Sequence, residues 1–188
     1  MTAPYVAVVL AGRSSERLGG ADKAMVDLDG ITLLDRVLNA TEAETVVVGP
    51  RRPTSRSVIW CEEEPVGGGP VAAFAAGLAV APPSEKILLL GSDLPFIAGA
   101  FSPLLSTSAD VAVLVDADGR ANYLASAWVR SAAEAQVRDL GDLTGLPMRR
   151  LLQGLTVEEV RDTGEWGFDC DTWDAVHEAR ERGAASTP

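Results

Sequence analysis

Apolar residues in this chain gather into short unbroken runs instead of alternating with polar ones. Five runs rich in Val, Ile and Leu occupy residues 5–10, 45–48, 58–60, 86–90 and 110–115. A strand covered on both faces has no need to alternate, so these runs predict the strands of a parallel sheet buried on both sides. Between them the spacing becomes helical. Leu33, Leu34, Val37 and Leu38 fall on one face, with Thr32 in place to cap the first turn. Pro70 suits the first turn of a second helix, and the apolar stretch it opens stops at Pro82 and Pro83. After residue 115 the order is less regular. A strand is expected over 123–128, an Ala-rich helix from Ser131, a helix near 148–152 and a final helix over 172–182. This alternation predicts a three-layer α/β/α sandwich with a mostly parallel central sheet. Neither a repeat nor a linker divides the chain, so one domain over 1–188 is expected, with a frayed tail at 183–188.

Composition narrows the partners. Of 188 residues, 47% are apolar and 23% charged, the balance of a globular protein with a sizeable core. Asp and Glu number 27 against 16 Lys and Arg, a formal net charge of −11. Nucleic acid and anionic membranes need a broad positive field, so neither is expected as a partner. A small basic pocket for one phosphorylated ligand remains compatible with this charge. Cys61 and Cys170 are far apart and lack metal-site spacing, which fits a reducing, cytoplasmic setting. The first residues show no basic region followed by a long apolar run. The longest apolar stretch, 71–81, is interrupted by Gly77 and falls short of the ~20 residues that a membrane span needs.

The run at 5–10 leads directly into a loop with Gly12, Gly19 and Gly20, two serines, Arg17 and Lys23. Small residues let backbone N–H groups approach phosphate oxygens, and Arg17 and Lys23 neutralise phosphate charge. The plainer alternative is a surface loop whose glycines only satisfy turns. The spacing matches neither a dinucleotide-binding GxGxxG nor a Walker A loop. His177, the sole histidine, reads as a surface residue, and Trp60, Trp128, Trp166 and Trp173 read as packing residues.

Residues 10–23 resemble the signature loop of the nucleotidyltransferases related to molybdenum cofactor guanylyltransferase. Leu10, Ala11, Gly12, Arg17, Gly19, Asp22 and Lys23 fall in order, while Arg13 stands where the family has a second glycine. Glu62, Glu63 and Glu64, followed by Gly67, Gly68, Gly69 and Pro70, resemble the family's acidic stretch beside the nucleotide base. A carboxylate there could accept from the N1–H and exocyclic amine of guanine, a donor pair that adenine lacks. Which glutamate does so stays open, with Glu63 favoured; Gly69 and Pro70 would bring backbone to the base. The run ending at Asp93 resembles the family's metal strand, so Asp93 is expected to hold Mg²⁺ against the α-phosphate. Residues 168–174 resemble an element with two Asn positions, filled here by Asp169 and Asp171. Asp171 is expected as a second metal ligand, its alternative role being a cap on the final helix. Arg120 and Asn122 lie in a stretch that resembles the approach of the second substrate.

The resemblance implies a Rossmann-like nucleotidyltransferase fold and transfer of GMP from GTP to molybdopterin cofactor, with release of pyrophosphate. Arg17, Lys23 and Asp93 would carry catalysis with Mg²⁺. Leu10, Ala11, Gly12, Arg13, Gly19, Lys23, Glu63, Gly69 and Pro70 would hold the nucleotide. Transient contact with cofactor-supplying proteins or molybdoenzymes is implied as well. Two other readings stand beside it: a CTP-dependent cofactor or sugar- or polyol-phosphate cytidylyltransferase, and a catalytically silent nucleotide-binding protein.

Overall fold

The computed structural model describes residues 3–12 and 16–185, so Arg13 lies outside the described residues. Its centre is a seven-stranded sheet. Strand β1 (Ala3–Leu10) pairs in parallel with β4 (Thr45–Val48) on one side and β6 (Ser84–Gly91) on the other. Strand β5 (Ile59–Cys61) extends the sheet beyond β4. On the far side, β8 (Ala121–Val129) runs antiparallel between β6 and β7 (Val111–Val115), and β9 (Val157–Arg161) closes the edge parallel to β7. The order is β5-β4-β1-β6-β8-β7-β9. Every strand but β8 therefore points the same way, and the carboxyl ends of β1, β5 and β6 share one edge. In open sheets of this kind that edge is where ligands bind.

The unbroken apolar runs are explained by cover on both faces. Val9, Val47, Leu88, Leu90 and Leu114 pack with Leu34, Val37 and Leu38 of helix α1 (Leu33–Asn39) and with Leu104 of α3 (Phe101–Leu105). Val6, Val8, Val46, Val48, Ile87 and Leu89 pack on the other side, against Val71, Phe74 and Leu78 of α2 (Pro70–Val80) and Ala133 of α4 (Arg130–Leu140). Thr32 caps α1 as its position suggested, its Oγ1 accepting from the Asp35 N–H at 3.1 Å. Pro70 is the first residue of α2. Trp128 is fully buried, 5.4 Å from the Phe74 ring, whereas Trp173 is 45% exposed and not a core residue.

Several elements depart from the sequence reading. A short hairpin, β2 (Asp27–Leu28) and β3 (Ile31–Thr32), turns at Asp29 and Gly30, both with positive φ. The Asp-Gly pair was its signal, but two-residue strands carry no readable period. Strand β9 was missed because it lies at an edge, where Val160 alone of its five residues is buried. The region 148–152 forms only a 3-10 turn, Met148–Arg150. Helix α5 (Trp173–Ala185) continues three residues past Arg182, where the sequence reading ended it. Val176 and Ala179 of α5 pack with Leu18, Val26, Leu28, Leu33 and Cys170. This small third cluster brings the end of the chain against the loop that follows β1. Among the described residues, no helix is long and apolar enough to cross a membrane.

Candidate active site

The loop after β1 is held by groups distant in sequence. Arg52, in the connection after β4, is almost wholly buried. Its guanidinium donates to the carbonyl oxygens of Ala11 at 2.9 Å, Gly12 at 2.7 Å and Pro50 at 3.0 Å, and pairs with Asp22 at 2.7 Å. The two ends of the loop are thus tied to one rigid cation. Gly49 makes room for this arrangement, since a Cβ built there would stand 2.0 Å from the Ala11 carbonyl oxygen. Sequence reasoning missed Arg52. Its only local signal was an Arg placed directly beyond the carboxyl end of a buried strand.

Beside this loop lies a cavity of about 400 Å³. Of the residues singled out from sequence, Leu10, Gly12, Lys23, Glu63, Gly69, Pro70 and Asp93 line it. Ala11, Arg17, Gly19 and Asp171 do not; Ala11 is fully buried, and Arg17 is largely exposed. The three glutamates separate. Glu63 lines this cavity and accepts from the Gly67 N–H at 2.9 Å. Glu62 and Glu64 line a different cavity with Pro65, Ala72 and Asp142.

Asp93 stands two residues beyond β6, where the Ser92 N–H donates to the Leu10 carbonyl at 3.1 Å. The Cys170 N–H donates to the Asp93 carbonyl at 3.1 Å and thereby joins the segment before α5 to the same edge. As a result Asp93, Asp169 and Asp171 each present a carboxylate oxygen within 4.8 Å of the others. Lys23 forms ion pairs with both Asp93 and Asp171, and Arg17 reaches Asp171 at 3.1 Å. Burial, and then the charge of Asp93, hold the Asp169 carboxyl above its ordinary range, while Lys23 and Arg17 pull the other way. Burial and the Asp93 charge likewise push the Cys170 thiol up to about 12, so it is no nucleophile at neutral pH.

The capping role considered for Asp171 belongs to Thr172, whose Oγ1 accepts from the Ala175 N–H at 3.2 Å. Asp171 is instead engaged by Lys23 and Arg17. Three converging carboxylates form an all-oxygen donor set suited to a hard divalent cation of the Mg²⁺ kind.

A second cavity, about 840 Å³, adjoins the first at Pro70 and Leu124. Arg120 and Asn122 both line it, as do Tyr123, Met148, Phe168 and Asp169. Asp162 also lines it and had no signal in the sequence. Its carboxylate accepts from the N–H groups of Gly164, Trp166 and Gly167 at 2.8–3.1 Å, and so shapes the turn that leads to Asp169. His177 is exposed on α5, outside both cavities.

A family model described as a MobA-like NTP transferase domain matches residues 7–160. A molybdenum cofactor guanylyltransferase of Acidiphilium cryptum is 33% identical over 143 residues, 71% of each chain. One of Rhodopseudomonas palustris is 32% identical over 138 residues, 65% of each chain. In fold, the chain resembles the molybdopterin-guanine dinucleotide biosynthesis protein A of Archaeoglobus fulgidus, with a TM-score of 0.76 at 20% identity, covering 96% of this chain and 99% of that one. A 2-C-methyl-D-erythritol 4-phosphate cytidylyltransferase of Thermus thermophilus gives 0.70 at 18% identity, covering 95% and 98%. The fold alone is therefore common to transferases named for different nucleotides and acceptors. With that family model matched across most of its length, the chain belongs to the MobA-like NTP transferase family and is a nucleotidyltransferase.

Proposed function

We propose that this protein transfers GMP from GTP to molybdopterin cofactor, releasing pyrophosphate. The observation that carries the choice of base is Glu63, the one glutamate of the three that lines the cavity shared by Gly12, Lys23 and Asp93. A carboxylate in a cavity also lined by Leu10, Val48 and Pro70 suits the two adjacent N–H donors of guanine better than cytosine, which offers one amine donor beside two acceptors. The names borne by the related guanylyltransferases support the same acceptor.

In this reading the base and ribose occupy the smaller cavity, and the acceptor enters the larger one past Arg120 and Asn122. The two cavities meet near the carboxylate cluster, so the acceptor phosphate can approach the α-phosphorus opposite the departing pyrophosphate. One P–O bond forms to the acceptor as the bond to the bridging α–β oxygen breaks. No covalent nucleophile is required, and the protein contributes position and charge. Lys23 and Arg17 neutralise the triphosphate and the leaving group, while Arg52 keeps the loop backbone in place beneath it. Asp93, Asp171 and Asp169 would hold Mg²⁺, which when bound offsets the charge gathering on the phosphates. The reading includes a single domain, a cytoplasmic setting, and transient contact with proteins that supply the cofactor or receive the product.

The test is pyrophosphate release screened over four nucleoside triphosphates, with and without molybdopterin. Release from GTP that depends on molybdopterin is expected. Preference for CTP would make the protein a cytidylyltransferase, and nucleotide binding without release under any condition would make it a silent binder.

A further inference from the structure

We propose that Lys23 is an exchangeable counter-ion: it sits among the carboxylates of Asp93 and Asp171 until a triphosphate draws it away, so the divalent cation enters with the nucleotide and not ahead of it. The lysine belongs to two places at once. Its ammonium forms ion pairs with Asp93 and Asp171, two of the three carboxylates gathered within 4.8 Å. The same residue lines the nucleotide cavity beside Gly12 and Glu63. Its side chain is only 20% exposed, so water does little to screen either attachment. A cation bound by Asp93, Asp169 and Asp171 would enter the same small cluster as the ammonium, which is paired with two of its three carboxylates, and two cations that close repel strongly.

The charges match this exchange. Three carboxylates face the cations of Lys23 and Arg17, leaving the cluster close to balanced. Moving Lys23 onto a phosphate leaves two negative charges in excess, which suit one divalent ion. Lysine fits this part because its ammonium is a compact charge on a flexible stem, able to reach either partner. The device depends on the guanylyl-transfer reading only in needing a triphosphate in the first cavity.

Binding of Mn²⁺ to the full chain without nucleotide tests it, read by loss of the free-ion electron paramagnetic resonance signal. Lys23→Met and Lys23→Gln should each bind Mn²⁺ about tenfold or more tightly than the native chain, because they remove the competing charge. Lys23→Arg, which keeps it, should stay close to native. Circular dichroism establishes that each variant is folded. The native chain supplies a second measurement through acetylation of its lysines by an amine-reactive reagent. Saturating Mn²⁺ should raise labelling of Lys23, while the other lysine, Lys86, held by the carbonyl oxygens of Leu105 and Thr107, stays constant. Mn²⁺ affinity unchanged or weakened in both uncharged variants overturns the proposal, as does Lys23 labelling that ignores the metal. Pyrophosphate release by the native chain keeps the two readings apart. Release together with unchanged Mn²⁺ affinity in the variants removes only the counter-ion role; tighter Mn²⁺ binding without release from any nucleotide removes only the transfer reading.

Discussion

Arg52 donates to the Gly12 carbonyl oxygen at 2.7 Å across forty positions of sequence, and this bond ties the loop after β1 to the connection after β4. Because the same guanidinium also holds Ala11 and Asp22, Arg52→Ala leaves several polar groups without their partner. A loss of about 2–3 kcal/mol in folding stability is expected, discounted for the partial exposure of Asp22. Arg52→Lys keeps the charge but not the fork and should recover less than half of it. Urea unfolding with GTP titration checks both; a near-native midpoint for Arg52→Ala would show that the loop holds itself.

Removing the two cations of the loop should have unequal effects. Lys23→Ala, at a partly buried site, should weaken GTP binding by about 1.5–3 kcal/mol in the presence of Mg²⁺. Arg17 is 72% exposed, and Arg17→Ala should cost under about 1 kcal/mol of binding. Calorimetric titration of both variants provides the comparison, and equal losses would mean that Arg17 turns inward on binding.

Glu63 is expected to read the base. Glu63→Gln exchanges an acceptor for a donor where two donors arrive, and should reduce the preference for GTP over other nucleotides by roughly tenfold. Glu62→Gln and Glu64→Gln, on a different cavity, should leave it intact. A competition assay among the four triphosphates distinguishes the three variants.

Asp171 and its neighbour Thr172 divide two roles. Asp171→Asn should raise the Mg²⁺ needed for half-maximal turnover with little change in unfolding midpoint. Thr172→Ala should cost about 1 kcal/mol of stability through the lost cap of α5 and leave the Mg²⁺ requirement unchanged. Thermal melts beside Mg²⁺ titrations separate them.

The crowded carboxyl of Asp169 gives a dependence on pH. Its folded pKa is raised, so the ionised form is penalised by folding. That penalty is fully present above the folded value, and it disappears as pH falls below the ordinary carboxylate range. Asp169→Asn should therefore raise the melting temperature at neutral pH in EDTA, with the gain vanishing in acid. Saturating Mg²⁺ should reverse the sign, because the native carboxylate then meets a cation. Melting curves from pH 3 to 8 check the prediction.

What could be read from sequence was local. The strands at 5–10, 45–48 and 86–90 announced themselves because burial on both faces removes any need for polar positions. Pro70 and Thr32 marked helix starts through backbone chemistry confined to one turn. Lys23 stood out by its place in a glycine-rich loop after a strand end, whereas Glu63, with Glu62 and Glu64 left open beside it, and Asp93 were marked by the resemblance of their short stretches to a known family. Three-dimensional packing decided the rest. Arg52 was invisible because its partners, Ala11, Gly12 and Asp22, lie thirty or more positions away. Strand β9 was hidden because an edge strand buries too little to leave an apolar pattern. The carboxylate cluster joins Asp93 to residues more than seventy positions further on, and Arg17 to Asp171 across 154. Side-chain type and short spacing are written along the chain, whereas the meeting of distant groups depends on how α5 packs against the loop after β1. A buried cluster of Leu18, Cys170 and Val176 sets that contact, and no local period encodes it.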